Sequence, residues 1–339
     1  MRKWLLAFLL ILAVPIGAIA AFDYMLSPPS AAGRKEILVI KPGSGVSAVG
    51  DLLEAKGLVR SADAFGLWVR VKGMDRSIKA GVYAVAPAMG AKRIATLLVE
   101  GRGESERLTV PEGFSMRQIA GVLDEREAGS GERFLTLAAD AHAFADEYAW
   151  LADLPAGASL EGFLFPDTYV VPPGAGHEKD LIRMMLARFQ QVAITAFEAR
   201  PADFSLNMLQ AVTMASIVEK EARHAVERPT IAGVFFNRLA TRMPFGSDPT
   251  VEYVLRKHQG DKGLSFKDVA VESPYNTYKY PGLPPGPIAN PGLASLEATL
   301  RPAKTPYLYF VARGDGTHAF TRTYAEHLAT QRAILAGRR

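Results

Sequence analysis

One stretch constrains this chain before anything else does. Trp4 to Phe22 (WLLAFLLILAVPIGAIAAF) carries no charge, and Met1-Arg2-Lys3 precedes it. As a helix it spans about 28 Å at ~1.5 Å per residue, close to the hydrocarbon thickness of a bilayer. The basic flank predicts a cytoplasmic start and export of everything after Asp23. A cleaved signal peptide is the competing reading, with Gly17-Ala18-Ile19-Ala20-Ala21 near the cut. The apolar run outlasts the usual core of ~7–15 residues, which favours an uncleaved anchor. No second run of that length occurs, so the expectation is a single pass. Much of the surplus behind the mean hydropathy of +0.07 sits in this run.

The rest of the 339 residues is enough for two domains with packed cores. With no cysteine, the chain has no disulfide framework, zinc-thiolate site, iron–sulfur cluster or cysteine nucleophile. The formal charge is +4, and setting aside Arg2 and Lys3 (4 − 2) leaves about +2 for the exported part. That balance does not point to nucleic acid. The six histidines are scattered without metal spacing, and HExxH, Walker A, GxSxG and SxxK segments do not occur.

After a linker, Ser27-Pro28-Pro29-Ser30-Ala31-Ala32-Gly33, a strand–turn–helix phrase recurs. Ile37–Ile40 runs into Lys41-Pro42-Gly43 and then the amphipathic Val46–Glu54. A weaker copy is Gly81–Pro87 followed by Ile94–Leu98. The third is Leu108-Thr109-Val110-Pro111-Glu112-Gly113 followed by Met116–Leu123. Apolar residues at helical spacing after each turn predict a small α+β unit. The phrases resemble the LysM fold, a glycan-binding module, in their pattern alone.

Farther on, Ser159–Tyr169 reads as an extended aromatic segment and Leu181–Phe197 as a helix. Leu206–Ala222 (LNMLQAVTMASIVEKEA) reads as one helix apolar around most of its circumference, with Asp203 or Ser205 as its N-cap. It carries Glu219 and Glu221. Residues two apart on a helix point about 200° from each other, so the two acids cannot converge in one cleft. Glu219 shares a stripe with Val212, Ala215 and Ser216; Glu221 shares one with Met214, Ile217 and Val218. Either acid, desolvated, could serve as a general acid, and Lys220 or Arg223 could equally pair with one. Beyond position 250 lie seven of the eleven tyrosines, and Gly282–Gly292 is dense in Pro and Gly. A long ordered loop bearing Tyr and Asn suits a saccharide, although an aromatic cluster packed under the loop has the same composition. Tyr307–Ala312 reads as a buried strand.

Several ungapped segments are similar, in order, to the YceG-like endolytic murein transglycosylases (the MltG family). They are Leu160–Tyr169, Ala215–Glu221, Phe236–Leu239, Ser247–Val251, Tyr275–Tyr278, Gly282–Gly286, Pro302–Val311 and Gly316–Phe320. With the anchor and the LysM-like phrases the resemblance covers essentially the whole chain. It implies a bacterial inner-membrane protein, α+β in fold class. A transmembrane anchor and linker would occupy residues 1–34 and a small α+β region residues 35–104. A LysM-like segment with its connector would take residues 105–155, and the catalytic domain residues 156–339.

The activity implied is cleavage of the β-1,4 link from N-acetylmuramic acid to N-acetylglucosamine inside glycan strands, outside the cytoplasm. The muramic acid C6 hydroxyl closes on C1 to leave a 1,6-anhydro end, and one glutamate acts first as acid and then as base. The family's catalytic glutamate falls on Glu219, with Glu221 as runner-up. Ser216, Asn276 and Tyr278 are expected to shape the site, and Glu161 and Asp248 to support or position. No metal or cofactor is implied. The implied partners are peptidoglycan strands and the peptidoglycan synthases or division machinery. A different class of function is a non-catalytic scaffold that holds peptidoglycan while other enzymes cut it.

Overall fold

The structure, a computed structural model, describes residues 17–41, 43–101, 106–171, 175–257 and 263–337. The expected anchor lies mostly outside these residues, as does Pro42 of the first turn. Residues 17–26 are helical, and among the described residues no helix is long and apolar enough to cross a membrane. The protein is mixed α+β, with many helices and three two-stranded sheets among the described residues. It divides into two compact units. Described residues up to Leu108, together with 170–177, make the first; Thr109–Tyr169 and the residues from Glu178 onward make the second.

In the first unit β1 (Glu36–Ile40) runs antiparallel to β2 (Gly81–Val85), with Glu36 opposite Val85 and Ile40 opposite Gly81. Helices α1 (Val46–Ala55) and α2 (Ala62–Val71) fill the connection, and α3 (Gly90–Glu100) follows β2. The Ser61 hydroxyl caps α2 by accepting from the Ala64 N–H at 3.2 Å. The apolar residues at helical spacing face inward, so Leu38, Val49, Leu53, Phe65, Val69, Ile94 and Leu98 form one core.

The chain passes into the second unit along β3 (Glu106–Thr109), whose partner is β4 (Thr168–Val171). The third strand–turn–helix phrase thus ends in the second unit, with α4 (Met116–Glu125) and α5 (Gly131–Ala138) after its turn. Ser115 and Gln118 form a capping box at the start of α4. Helix α6 (Glu178–Phe189) continues through a π-helical turn, Gln190–Ile194, to Glu198.

The centre of this unit is α7 (Met208–Glu221), in which every residue from Ala211 to Val218 is buried. Its N-cap is Asn207, not Asp203 or Ser205. The Asn207 side chain accepts from the Gln210 N–H while the Gln210 side chain accepts from the Asn207 N–H. That box satisfies two orphan donors at once, which a lone acid or serine farther out does not. Around α7 pack α8 (Arg228–Ala240), α9 (Asp248–Leu255) and, after the short α10 (Phe266–Val269), α11 (Leu293–Leu300). Met214, Ile217, Ile231, Phe235, Phe245, Ile288 and Leu300 form the core between them. Strands β5 (Tyr309–Ala312) and β6 (His318–Thr321) pair antiparallel and lead to α12 (Tyr324–Gly337). β5 is half-buried, not buried as its composition suggests, because among the described residues β6 is its only sheet partner.

Candidate active site

The last turn of α7 presents Glu219 and Glu221 to different surroundings, as the helical period requires. Glu219 is held from two directions. Its Oε1 accepts from Arg228 Nη2 at 3.0 Å, and its Oε2 accepts from the Gly292 N–H at 3.0 Å. The pair is shielded from water, with the Glu219 side chain 6% exposed and that of Arg228 12%. Arg228 is itself aimed by a second bond, from Nε to Ser295 Oγ at 2.9 Å. Glu227 beside it is fixed to β6, accepting from the His318 N–H at 2.9 Å and lying 2.8 Å from His318 Nδ1. Three segments, the end of α7, the start of α8 and the loop at Gly292, thus meet at one carboxylate.

A fourth segment completes the centre. The Pro111-Glu112-Gly113 turn lies against the end of α7, with the Gly113 N–H donating to Asn290 O at 2.9 Å and the Asn290 N–H donating to Phe114 O at 2.9 Å. Gly113 has φ +74°, a left-handed backbone that favours glycine, and it lies in van der Waals reach of Glu219 Cγ. Gly292 is similarly constrained: a Cβ on it would fall inside the carboxyl of Glu112. Glu112 and Glu219 therefore flank one residue, the first over its Cα and the second on its N–H. The Glu112 carboxyl is raised above the usual range by desolvation against this backbone and by the Glu219 charge, with Arg228 pulling the other way. In the sequence Glu112 stands out only as part of a turn. Its neighbours Glu219, Arg228 and Gly292 lie more than a hundred positions away, so no local signal marks it.

Glu221 occupies another pocket of polar groups. Its Oε1 accepts from Ser247 Oγ at 2.6 Å. Burial pushes its carboxyl up to about 7, opposed by the Ser247 bond and the Arg238 charge and aided by Asp248. Asp248 accepts from the Tyr278 hydroxyl at 2.5 Å, and burial followed by that bond raises the Tyr278 phenol. Glu221, Ser247, Asp248 and Tyr278 therefore form one cluster, to which neither the Glu219 nor the Glu112 carboxyl is bonded.

The remaining candidates hold the architecture. Ser216 is fully buried, donates to Thr213 O at 2.7 Å and accepts from the Ile288 N–H at 3.1 Å, pinning the Pro/Gly-rich loop to α7. Asn276 is fully buried and donates from Nδ2 to Val269 O and Val271 O at 2.8 Å each. Its Oδ1 accepts from the Tyr278 N–H, so it shapes the turn that carries Tyr278. Glu161 accepts from the Met116 N–H at 2.9 Å at the start of α4 and from Asn290 Nδ2 at 3.3 Å; burial pushes its carboxyl up to about 7.

Beside the centre, Lys220 lines a cleft with Arg117, Glu252, Tyr253, Arg256 and Lys257. Tyr278 and Tyr280 are exposed, while Tyr253 and Tyr275 pack ring to ring, so the aromatic loop is partly surface and partly cluster. Among the described residues, no three His, Asp or Glu side chains are placed to hold a metal ion.

Residues 38–333 match the model of the YceG-like family. The chain belongs to the YceG-like family. It is 35% identical over 300 residues to an endolytic murein transglycosylase of Bacillus subtilis (strain 168), a match covering 85% of this chain and 81% of the relative. It is 32% identical over 340 residues to an endolytic murein transglycosylase of Streptococcus pneumoniae (strain ATCC BAA-255 / R6). That match covers 92% of this chain but only 61% of the pneumococcal protein. The crystal structure of a YceG-like protein from Listeria monocytogenes superposes with a TM-score of 0.59 at 33% identity, covering 88% of this chain and all of that one.

Proposed function

We propose that this YceG-like protein is an endolytic lytic transglycosylase of peptidoglycan and that Glu219 is its catalytic glutamate. The observation that carries the reading is a carboxylate held on both oxygens, by Arg228 and by the Gly292 N–H, inside the family-matched region and shielded from bulk water. The reaction is an internal displacement. The bond from muramic acid C1 to the glucosamine O4 breaks, O4 takes a proton, and the C6 hydroxyl closes on C1 as its own proton passes to a carboxylate. No water is consumed. This differs from the two-step hydrolysis of the usual carboxylate pair. A low-dielectric site strengthens the electrostatic part of such catalysis.

The N-terminal apolar run anchors the chain in the bacterial inner membrane as a single pass, with the bulk on the far side. A phosphatase fused to the C-terminus tests this, since it is active only if exported. Strand–turn–helix phrases of the LysM type supply further contact with glycan, and the peptidoglycan synthases or division machinery are the partners proposed.

Purified glycan strands digested with the protein are expected to gain anhydro-muramyl ends by mass spectrometry. Glu219→Gln is expected to lower the rate by roughly 10²–10⁴-fold, the usual contribution of a positioned acid or base. Glu221→Gln is expected to keep it. Strands bound but never cut by the wild type would leave the scaffold reading in its place, and loss in Glu221→Gln alone would move the assignment to that residue.

A further inference from the structure

The chain leaves its N-terminal apolar run without slack. Phe22, the last residue of that run, packs against the core of the first unit, and Leu26 is 2% exposed within that core. Asp23 between them pairs with Lys92 Nζ at 2.5 Å. The Pro-rich stretch that follows is strapped as well. Arg60 holds its guanidinium 4.6 Å from the centre of the Tyr24 ring and donates from Nη2 to Pro28 O at 2.8 Å. Gly90, at φ +70°, lies so close that a Cβ on it would sit 3.1 Å from Pro28 N and 3.2 Å from Leu26 O. Composition marks residues 27–33 as a linker, yet the first of them are fixed to the folded unit.

One face of the unit is therefore held at the end of the run. Lys92, the partner of Asp23, also lies 5.1 Å from the centre of the Trp68 ring, and Lys72 lies 4.8 Å from it. Leu67 and Val71, one turn apart on α2, are 49% and 70% exposed next to Trp68 and Lys72 in the helix. Tyr24 and Met25 are exposed too. An aromatic ring beside ammonium groups, with aliphatic side chains open to solvent, matches a membrane interface. The ring and methyls enter the headgroup layer while the lysine heads meet phosphate.

We propose that this face of the first unit, centred on Trp68, Lys72 and Lys92, lies against the phospholipid headgroups of the bilayer that holds the N-terminal run. The proposal rests on the single-pass reading and adds which surface of the protein the membrane covers. An anionic headgroup layer attracts the two lysines. Attachment through Phe22 makes the contact intramolecular, so an attraction too weak to recruit a free protein suffices to hold the unit down. The far side of the unit differs. Leu38 and Ile40 point into the core with α2 and α3, so Val39 between them points out of the other face of the sheet.

With no cysteine in the chain, one probe can be placed at a time. Full-length Leu67→Cys and Val39→Cys, each labelled with an environment-sensitive fluorophore, are reconstituted into nanodiscs of phosphatidylglycerol containing a lipid with a nitroxide on its headgroup. The probe at position 67 is expected to lose at least about half its emission to the nitroxide, as a group within ~5–10 Å of the headgroup boundary does, and the probe at 39 less than about a tenth. Adding Lys72→Glu, a change at an exposed side chain, is expected to cut the loss at 67 at least about twofold. Circular dichroism melts establish that each variant is folded.

Equal quenching at the two positions would overturn the proposal while the anchor stands, as would a loss at 67 that Lys72→Glu leaves unchanged. Release of the full-length protein from membranes by alkaline carbonate would remove the anchor reading, and the proposal with it.

Discussion

Glu161 shows how a buried acid acts on stability without touching the chemistry. It is 5% exposed, and its carboxyl is raised from 4.5 to about 7. Below about pH 4.5 the folded and unfolded chains both carry the proton, so no penalty applies. Between pH 4.5 and 7 the unfolded chain releases it while the folded chain holds it, so stability falls across that window and then levels off. The shift corresponds to a loss on the order of 3 kcal/mol. Glu161→Gln cannot titrate and is expected to lack this fall, which urea unfolding of both proteins at pH 4.5 and pH 8 would read. Identical pH slopes would mean that Glu161 is ionised in the folded protein. At this scale the sequence revealed direction but not company. The period of an α-helix was enough to send Glu219 and Glu221 apart, whereas the partners of each (Arg228 and Gly292, or Ser247) come from other elements. Glu112 was hidden for the same reason, because what raises its carboxyl is set by the fold.

Helix α7 was legible as an element because its apolar circumference demanded burial on all sides. Its start was misplaced because the cap is decided by reciprocal bonds between Asn207 and Gln210, which composition near a proline does not show. Asn207→Ala is expected to cost about 1 kcal/mol, read as a drop in melting temperature. Ser216 holds a stronger lever. Its Oγ is the acceptor for the buried Ile288 N–H. Ser216→Ala leaves that donor without a partner and is expected to cost about 1–3 kcal/mol. It is also expected to raise hydrogen exchange at the Ile288 amide; unchanged protection there would show that the loop is held by other contacts. The Pro/Gly-rich loop was recognised as ordered from its composition. Its role as the support of Gly292 draws on this bond and on those of Asn290, which no residue pattern announces.

Each compact unit has its own core, one around Leu53 and Phe65 and one around Met214 and Phe235. Separate cores predict unfolding in two steps, departing from the all-or-none behaviour of small single domains. Leu53→Ala is expected to cost about 2–5 kcal/mol in the first core and to move one calorimetric transition. Phe235→Ala is expected to cost about 3–5 kcal/mol in the second and to move the other, taking the heat stability of glycan cleavage with it. A single transition shifted by both variants would mean that the cores unfold together.

The bond from Asn290 Nδ2 to Phe114 O closes a loop 176 residues long, and the Gly292 N–H reaches Glu219 across 73. Contacts of such separation reward the chain only after its loop-closure entropy has been met. A chain still being made therefore holds Glu112 and Glu219 without the backbone residue that brings them together. The centre comes into being only as the last fifth of the protein closes over it.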